Sequence, residues 1–274
     1  MYCQFYGLRE RPFNVTSDPA FFFLSKRHKE ALSHLSYGTS QRKGIIVLTG
    51  EIGTGKTTLC RYFLGHLGRR VKTAFILNPY FSEMELLEAI VHDFGIRGLF
   101  QSRLTLIARL NKFLLRESSA GNNIVLIIDE AQTLKSNMLE QVRLLSNLET
   151  EKQKLLQVIL VGQPELNQRL ALHDLRQLEQ RIMVKFHIMP LEESEIKNYI
   201  QHRLSVAGSA GRIEFTDEAV KAIWEYSSGT PRLINKACDR ALLAGFVAET
   251  DIIDSNIINK SISELDNQLV GEKL

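Results

Sequence analysis

Apolar residues follow two rhythms along this chain. The first is a set of short runs: the stretch after Gly44 (Ile45-Ile46-Val47-Leu48), Val71 to Asn78, Asn123 to Ile128 and Leu156 to Gly162. These lengths predict strands, and the unbroken run at Asn123 to Ile128 implies burial on both faces, as in the centre of a parallel sheet. The second rhythm has helical spacing. It covers Lys26 to Tyr37 (Ala31, Leu32, Leu35), Leu104 to Leu115, and Ser136 to Glu149 with Leu139, Val142, Leu145 and Leu148 on one side. Ser82 with Glu85 forms a capping box for a helix continuing through Phe94. Asp174 to Met189 reads as a helix feeding a fifth strand.

Pro190-Leu191 marks a change. Beyond it, Glu192 to Ala207, Thr216 to Ser228, Pro231 to Val247 and Asp254 to Leu265 carry helical patterns, with no strand longer than Ile213 to Phe215. The opening differs again, with aromatics at Phe5-Tyr6-Gly7-Leu8, Pro12-Phe13 and Phe21-Phe22-Phe23-Leu24 among turn signals. The expected organisation is an aromatic arm and helix over residues 1–43, an α/β core over 44–190, a helical domain over 191–266 and a tail over 267–274.

Composition narrows the class without changing this division. A length of 274 residues suggests about two domains, and 44% hydrophobic with 24% charged residues is ordinary for a soluble globular protein. The net charge of +3 permits a local basic patch and does not indicate DNA as a partner. Cys3, Cys60 and Cys238 are far apart and odd in number, which argues against a disulfide framework or metal cluster and for a reducing compartment. With no bilayer-length apolar run and no signal-peptide core behind Met1, the expected location is cytoplasmic.

Chemistry concentrates between Gly44 and Leu59. Gly50, Gly55, Lys56 and Thr57 fit Gly, four residues, Gly-Lys-Ser/Thr, between an apolar strand and a helix start. In such a loop the main-chain N–H groups from Gly50 through Glu51, Ile52, Gly53, Thr54, Gly55, Lys56, Thr57 and Thr58 wrap a polyphosphate. Gly50, Gly53 and Gly55 are expected to allow positive φ and close approach to the oxygens. Lys56 supplies charge to the β- and γ-phosphates, the Thr57 hydroxyl is a Mg²⁺ ligand, and the helix dipole faces the same anion.

The strand at Asn123 to Ile128 ends in Asp129-Glu130, where ligands of open α/β sheets bind. Asp129 suits Mg²⁺, and Glu130 suits orienting the water that attacks the γ-phosphate. Together the two motifs point to ATP with Mg²⁺ and to nucleoside triphosphate hydrolysis. Gln163, at the next strand end, is a candidate sensor of nucleotide state. Arg181 is a candidate finger reaching a neighbouring subunit's γ-phosphate, with Arg176 as the alternative. Gly229-Thr230-Pro231-Arg232 reads as a helix stop, a cap and a new helix start. That places Arg232 in a first turn, where a nearby anion would offset the unfavourable dipole. The aromatic arm either covers the adenine base or only packs on the body.

Taken together, Gly50-to-Thr58, Ile124-to-Gln132, Val161-to-Leu166, Gln180-Arg181-Ile182, Gly229-to-Arg232 and the opening Phe5-to-Leu8 and Pro12-Phe13 resemble the AAA+ ATPases of the general secretion pathway protein A family. The resemblance covers nearly the whole chain. ATPases of pilus biogenesis, exosortase-linked polysaccharide loci and transposition systems share the module. It implies a RecA-like αβα P-loop core with a parallel sheet and a C-terminal helical lid, with nucleotide between them. It implies Lys56 and Thr57 as Walker A, Asp129 and Glu130 as Walker B, Gln163 as sensor 1, Arg181 as the finger and Arg232 as sensor 2. Secretion members usually continue into a membrane span and a peptidoglycan-binding periplasmic domain, and neither is present in these residues.

The expected function is an ATP hydrolase that assembles as a homo-oligomeric ring or filament, with Arg181 acting across the interface. Its role would be to help assemble an envelope secretion, pilus or polysaccharide-export system, meeting the inner membrane through partners. The alternatives are a DNA-dependent ATPase that selects transposition targets and a weakly hydrolysing, nucleotide-gated scaffold.

Overall fold

The structure, a computed structural model, describes residues 1–77, 79–98, 102–151 and 153–271. In chain order, α1 (Tyr2–Phe5) and α2 (Lys26–Ser40) precede β1 (Ile45–Gly50), α3 (Lys56–His66) and β2 (Val71–Ile76). Next come α4 (Glu83–Asp93), α5 (Arg103–Ser119), β3 (Asn123–Ile128), α6 (Ser136–Ser146) and β4 (Gln157–Gly162). Then follow α7 (Glu165–Leu170), α8 (Arg176–Glu179), β5 (Ile182–Ile188) and α9 (Glu193–Val206). The last elements are β6 (Glu214–Phe215), α10 (Asp217–Ser227), α11 (Pro231–Val247), β7 (Ile252–Ile253) and α12 (Ser255–Gly271). The chain divides into two compact units, one of Arg27–Ile52 and Leu59–Ile188, the other of Met1–Lys26, Gly53–Thr58 and the chain from Met189 onward.

The first unit is built on a parallel sheet, which among the described residues has the order β2-β3-β4-β1-β5. β1, β3 and β4 are central and nearly unbroken in apolar character because both of their faces are covered. One face, with Ile45, Val47, Leu126, Ile128, Val158 and Leu160, shares a core with Leu87 and Ile90 of α4, Leu110 of α5 and Leu139 of α6. Burying each such side chain is worth about 1.5–3 kcal/mol. On the opposite face α2 approaches so closely that a Cβ on Gly38 would lie 2.5 Å from Ile46 Cδ1. The register pairs Ile45 with Val158, Ile127 with Ile159 and Thr73 with Val125, so all carboxyl ends fall on one edge. That edge is where open α/β sheets bind ligands.

The second unit is helical, and its core joins Tyr2, Tyr6, Phe13 and Phe21 to Ile196, Ile200, Ile223, Ile234, Leu242 and Ile258. Polar bonds tie the opening aromatics down. Tyr2 Oη donates to Asp239 Oδ1 at 2.5 Å, and Tyr6 Oη lies 3.2 Å from Leu242 O and 3.1 Å from Thr250 O. Arg203 donates to the carbonyls of Pro12 (2.6 Å) and Asn14 (3.0 Å), with its guanidinium 5.0 Å from the Phe21 ring centre. Among the described residues no helix is long and apolar enough to cross a membrane.

Several elements differ from the sequence reading. The helix expected from Asp174 is broken into a 3-10 turn, His173–Leu175, and the single turn α8, because the chain leaves helical geometry at Leu175, where φ is −105° and ψ 7°. α6 stops at Ser146, short of Glu149, which bridges to Lys154 instead. β7 pairs in parallel with β6, α7 follows Pro164, and α12 runs on to Gly271. Asn78 at the end of the second strand reading, and residues 272–274 of the expected tail, lie outside the described residues.

At the junction between α10 and α11, Gly229 has φ +78° and accepts from the Leu191 N–H at 3.0 Å. A Cβ there would lie 2.1 Å from the Leu191 carbonyl oxygen, which is backbone and cannot swing away. Gly229→Ala is therefore expected to destabilise this unit by about 2 kcal/mol or more, summing left-handed strain and overpacking. Thermal unfolding followed by circular dichroism measures it, and an unchanged Tm would show that this contact yields at no cost.

Candidate functional site

The residues singled out above fall into two groups and one outlier. The first group is the connection from β1 to α3. Gly53 and Gly55 have φ of +84° and +89°, a region that other residues enter at a cost of about 1–2 kcal/mol. Gly50 departs from expectation: it has no positive φ, because β1 pairing continues to this residue opposite Ile188. Lys56 opens α3, so the first-turn N–H groups and positive dipole end of that helix are at the loop. Thr54 and Lys56 retain only 1% and 6% of their exposure, Thr57 and Thr58 are half-buried, and Glu51 and Ile52 are exposed.

α11 meets this loop at its first turn. The Arg232 N–H donates to Gly53 O at 3.3 Å, and a Cβ on Gly53 would lie 2.7 Å from Arg232 Cβ and 3.2 Å from Thr230 Cγ2. Arg232 is thus the second residue of α11, exposed, with its backbone on the glycine loop. The expected Thr230 cap is not made. Thr230 occupies the cap position, but its side chain accepts no capping bond and presents its methyl toward Gly53.

The second group lies at the carboxyl ends of β3, β4 and β1, where Thr49 stands opposite Gly162 and Ile128 opposite Leu160. Asp129 is buried, and its Oδ1 accepts the Glu130 N–H at 2.9 Å. Glu130 has φ +52° and ψ +35°, a strained backbone of the kind that collects at functional sites. Its carbonyl accepts from the Thr133 N–H at 2.9 Å and the Thr133 hydroxyl at 2.8 Å, which supports that geometry. Its carboxylate Oε2 receives Gln132 Nε2 at 2.5 Å and Gln163 Nε2 at 3.2 Å. The structure therefore places Gln163 on the carboxylate of Glu130. From α7, Arg169 donates to Gln132 O at 2.6 Å and Asn167 to Thr49 Oγ1 at 3.2 Å, while Thr49 Oγ1 shares a 3.0 Å hydrogen bond with His187 Nδ1.

Arg181 is the outlier. It precedes β5, whose Ile182 stands opposite Ile45 and whose Ile188 stands opposite Gly50. Arg181 therefore lies at the amino edge of the sheet, about 20 Å along the strand from Gly50 at about 3.3 Å per residue, beyond the reach of one side chain. Its neighbourhood holds Glu149, kept below the usual carboxylate range first by the Lys154 hydrogen bond and more weakly by Arg181. Arg176, at the start of α8, is exposed. The sequence reading gave no role to Gln132, Asn167 or Arg169. Gln132 had a signal, being a polar side chain just beyond the Asp129-Glu130 strand end, whereas the other two depend on α7, which the pattern did not reveal.

Comparison with known proteins agrees with this architecture. Residues 39–170 match the AAA domain family. General secretion pathway protein A of Aeromonas hydrophila is 47% identical over 247 residues, which is 90% of this chain and 45% of that protein. The chain thus spans less than half of that relative's length. The ORC2 protein of Aeropyrum pernix, solved in ADPNP–ADP complexes, superposes with a TM-score of 0.61 at 17% identity over 86% of this chain and 66% of that one. The RuvB branch migration motor of Thermotoga maritima gives 0.56 at 20% identity, over 87% and 68% of the two chains. At such identities the two structures show a shared fold.

Proposed function

We propose that the chain is a Mg²⁺-dependent AAA+ ATP hydrolase, from its similarity to general secretion pathway protein A and its match to the AAA domain family. The observation that carries this reading is the loop leaving β1. It has two left-handed glycines, and the buried Lys56 stands at the start of a helix, an arrangement suited to a polyphosphate.

In this reading the N–H groups from Gly50 to Thr58 hold the phosphates and Lys56 neutralises the β- and γ-oxygens. Thr57 and Asp129 supply a hydroxyl and a carboxylate oxygen, the donor type that Mg²⁺ prefers, and they would hold it. When bound, the ion would supply positive charge to the phosphate oxygens. Glu130 orients the attacking water and accepts its proton. Gln163, bonded to that carboxylate, reports the state of the γ-phosphate, and Arg232 reports it from the helical domain, which acts as a lid. Arg181 lies at the sheet edge remote from Gly50, which favours a homo-oligomer in which it completes a neighbour's site.

The output we propose is assembly of an envelope secretion, pilus or polysaccharide-export system from the cytoplasmic side. It rests on similarity to a relative about twice as long. The net charge of +3 gives no support to the DNA-dependent alternative.

Glu130→Gln tests the chemistry. The variant is expected to bind ATP within about threefold of the parent while turning over at least roughly 100-fold more slowly, the scale of general-base catalysis. Steady-state phosphate release and nucleotide titration measure both. Turnover at the parental rate would remove Glu130 from the mechanism.

A further inference from the structure

The carboxamide of Gln132 lies between two residues whose roles are set out above. Its Oε1 accepts the backbone N–H of Gln163 at 3.1 Å, and its Nε2 donates to Glu130 Oε2 at 2.5 Å. A backbone N–H can only donate, so it fixes which end of the carboxamide is oxygen and leaves the NH₂ facing the carboxylate. The rest of Gln132 is held as well. It sits in the 3-10 turn Ala131–Thr133, and Arg169 donates to its carbonyl at 2.6 Å. Gly162 leaves room for it, since a Cβ there would lie 2.8 Å from Gln132 Oε1.

Both donors to Glu130 Oε2 depend on where Gln163 stands. One is the Gln163 side chain itself, at 3.2 Å; the other is Gln132, whose oxygen is bound to the Gln163 backbone. Glu130 Oε1 makes no hydrogen bond among the described residues. A carboxylate held through one oxygen in this way keeps the other aimed in a fixed direction.

We propose that Gln132 is a positioning residue for ATP cleavage. It pins Oε2 of Glu130 so that Oε1 is presented to the attacking water, and it passes any shift of the Gln163 backbone directly to that carboxylate. The proposal rests on the reading of Glu130 as the group that orients water.

Gln132→Glu separates the two bonds. It is isosteric and retains an acceptor for the Gln163 N–H, but it has no donor for Glu130. Gln132→Met, of similar size, removes both. With assembled full chain and Mg-ATP, both substitutions are expected to lower kcat roughly 10- to 100-fold, less than the roughly 10²- to 10⁴-fold contribution of an acid–base group itself, because Glu130 is retained. KM and ATP affinity should stay within about threefold. Because Gln132 acts through Glu130, adding Gln132→Glu to Glu130→Gln should cause no further loss, a non-additivity that general damage to the loop would not produce.

Parental or increased kcat in Gln132→Glu, a matching loss of ATP affinity, or an additional loss in the Glu130→Gln background would each overturn the proposal. If Gln132→Met does not fold, Gln132→Glu with its double variant still decides. Absence of any Lys56-dependent turnover in the parent would instead overturn the ATPase reading, and this inference with it. An active parent with an unaffected Gln132→Glu overturns this inference alone.

Discussion

Lys56→Ala is expected to remove ATP binding and turnover together. The lysine opens α3 directly after Gly55 and keeps 6% of its exposure, so the residue is largely withdrawn from bulk solvent. In the proposed complex it meets oxygens of two phosphates. Hydrogen bonds to charged groups are worth about 1.5–3 kcal/mol each, so the loss is about 3–6 kcal/mol, or roughly 10²- to 10⁴-fold in affinity. Glu130→Gln should leave binding intact, so the two variants separate holding the triphosphate from cleaving it. Titration with a fluorescent ATP analogue reads the first and phosphate release the second. Near-parental binding by Lys56→Ala would place the phosphates somewhere other than this loop.

The second large effect concerns Arg181. Its position before β5, at the sheet edge remote from Gly50, favours action on a neighbouring subunit. Arg181→Ala alone is expected to lower turnover by roughly 10³-fold, the lower end of the range for arginine fingers. Its ATP affinity should change little, because the finger acts on charge that develops during cleavage. Mixing provides the decisive comparison. An Arg181→Ala subunit retains Glu130, and a Glu130→Gln subunit retains Arg181, so a mixed assembly contains interfaces with both groups intact. Turnover should rise above that of either variant alone, with a maximum near equal proportions. A flat response across mixing ratios would rule out action between subunits.

Much of this architecture was legible because its determinants are local. The strand at Asn123 to Ile128 is one continuous apolar run, and the glycine loop is a contiguous motif of fixed spacing. α11 begins at Pro231 and ends at Val247, as its pattern indicated. What escaped was set by tertiary packing. α8 is a single turn whose Leu178 enters the core, and β7 is two residues defined by pairing with Glu214 and Phe215. Neither has enough sequence of its own to show a period. Thr230 is a capping residue by type, yet its methyl faces Gly53, a neighbour far away in sequence. Gly50 was expected to need a positive φ, although the β1–β5 pairing reaches it first.

The same distinction applies within the site. Asp129 and Glu130 announce themselves at a strand end, but the bonds that orient Glu130 come from Gln132 and from Gln163, on the turn after β4. A glutamine beside an acidic pair has no spacing signature. Its role appears only when the ends of β3 and β4 are brought level.

The central claim is that a triphosphate is held by the main-chain amides between Gly50 and Thr58. The most direct measurement is a structure of the chain determined with Mg²⁺ and a non-hydrolysable ATP analogue. The β- and γ-phosphates should lie against those amides, with Lys56 Nζ within hydrogen-bond distance of both. An analogue bound in another cleft, with this loop empty in the same structure, would contradict the account.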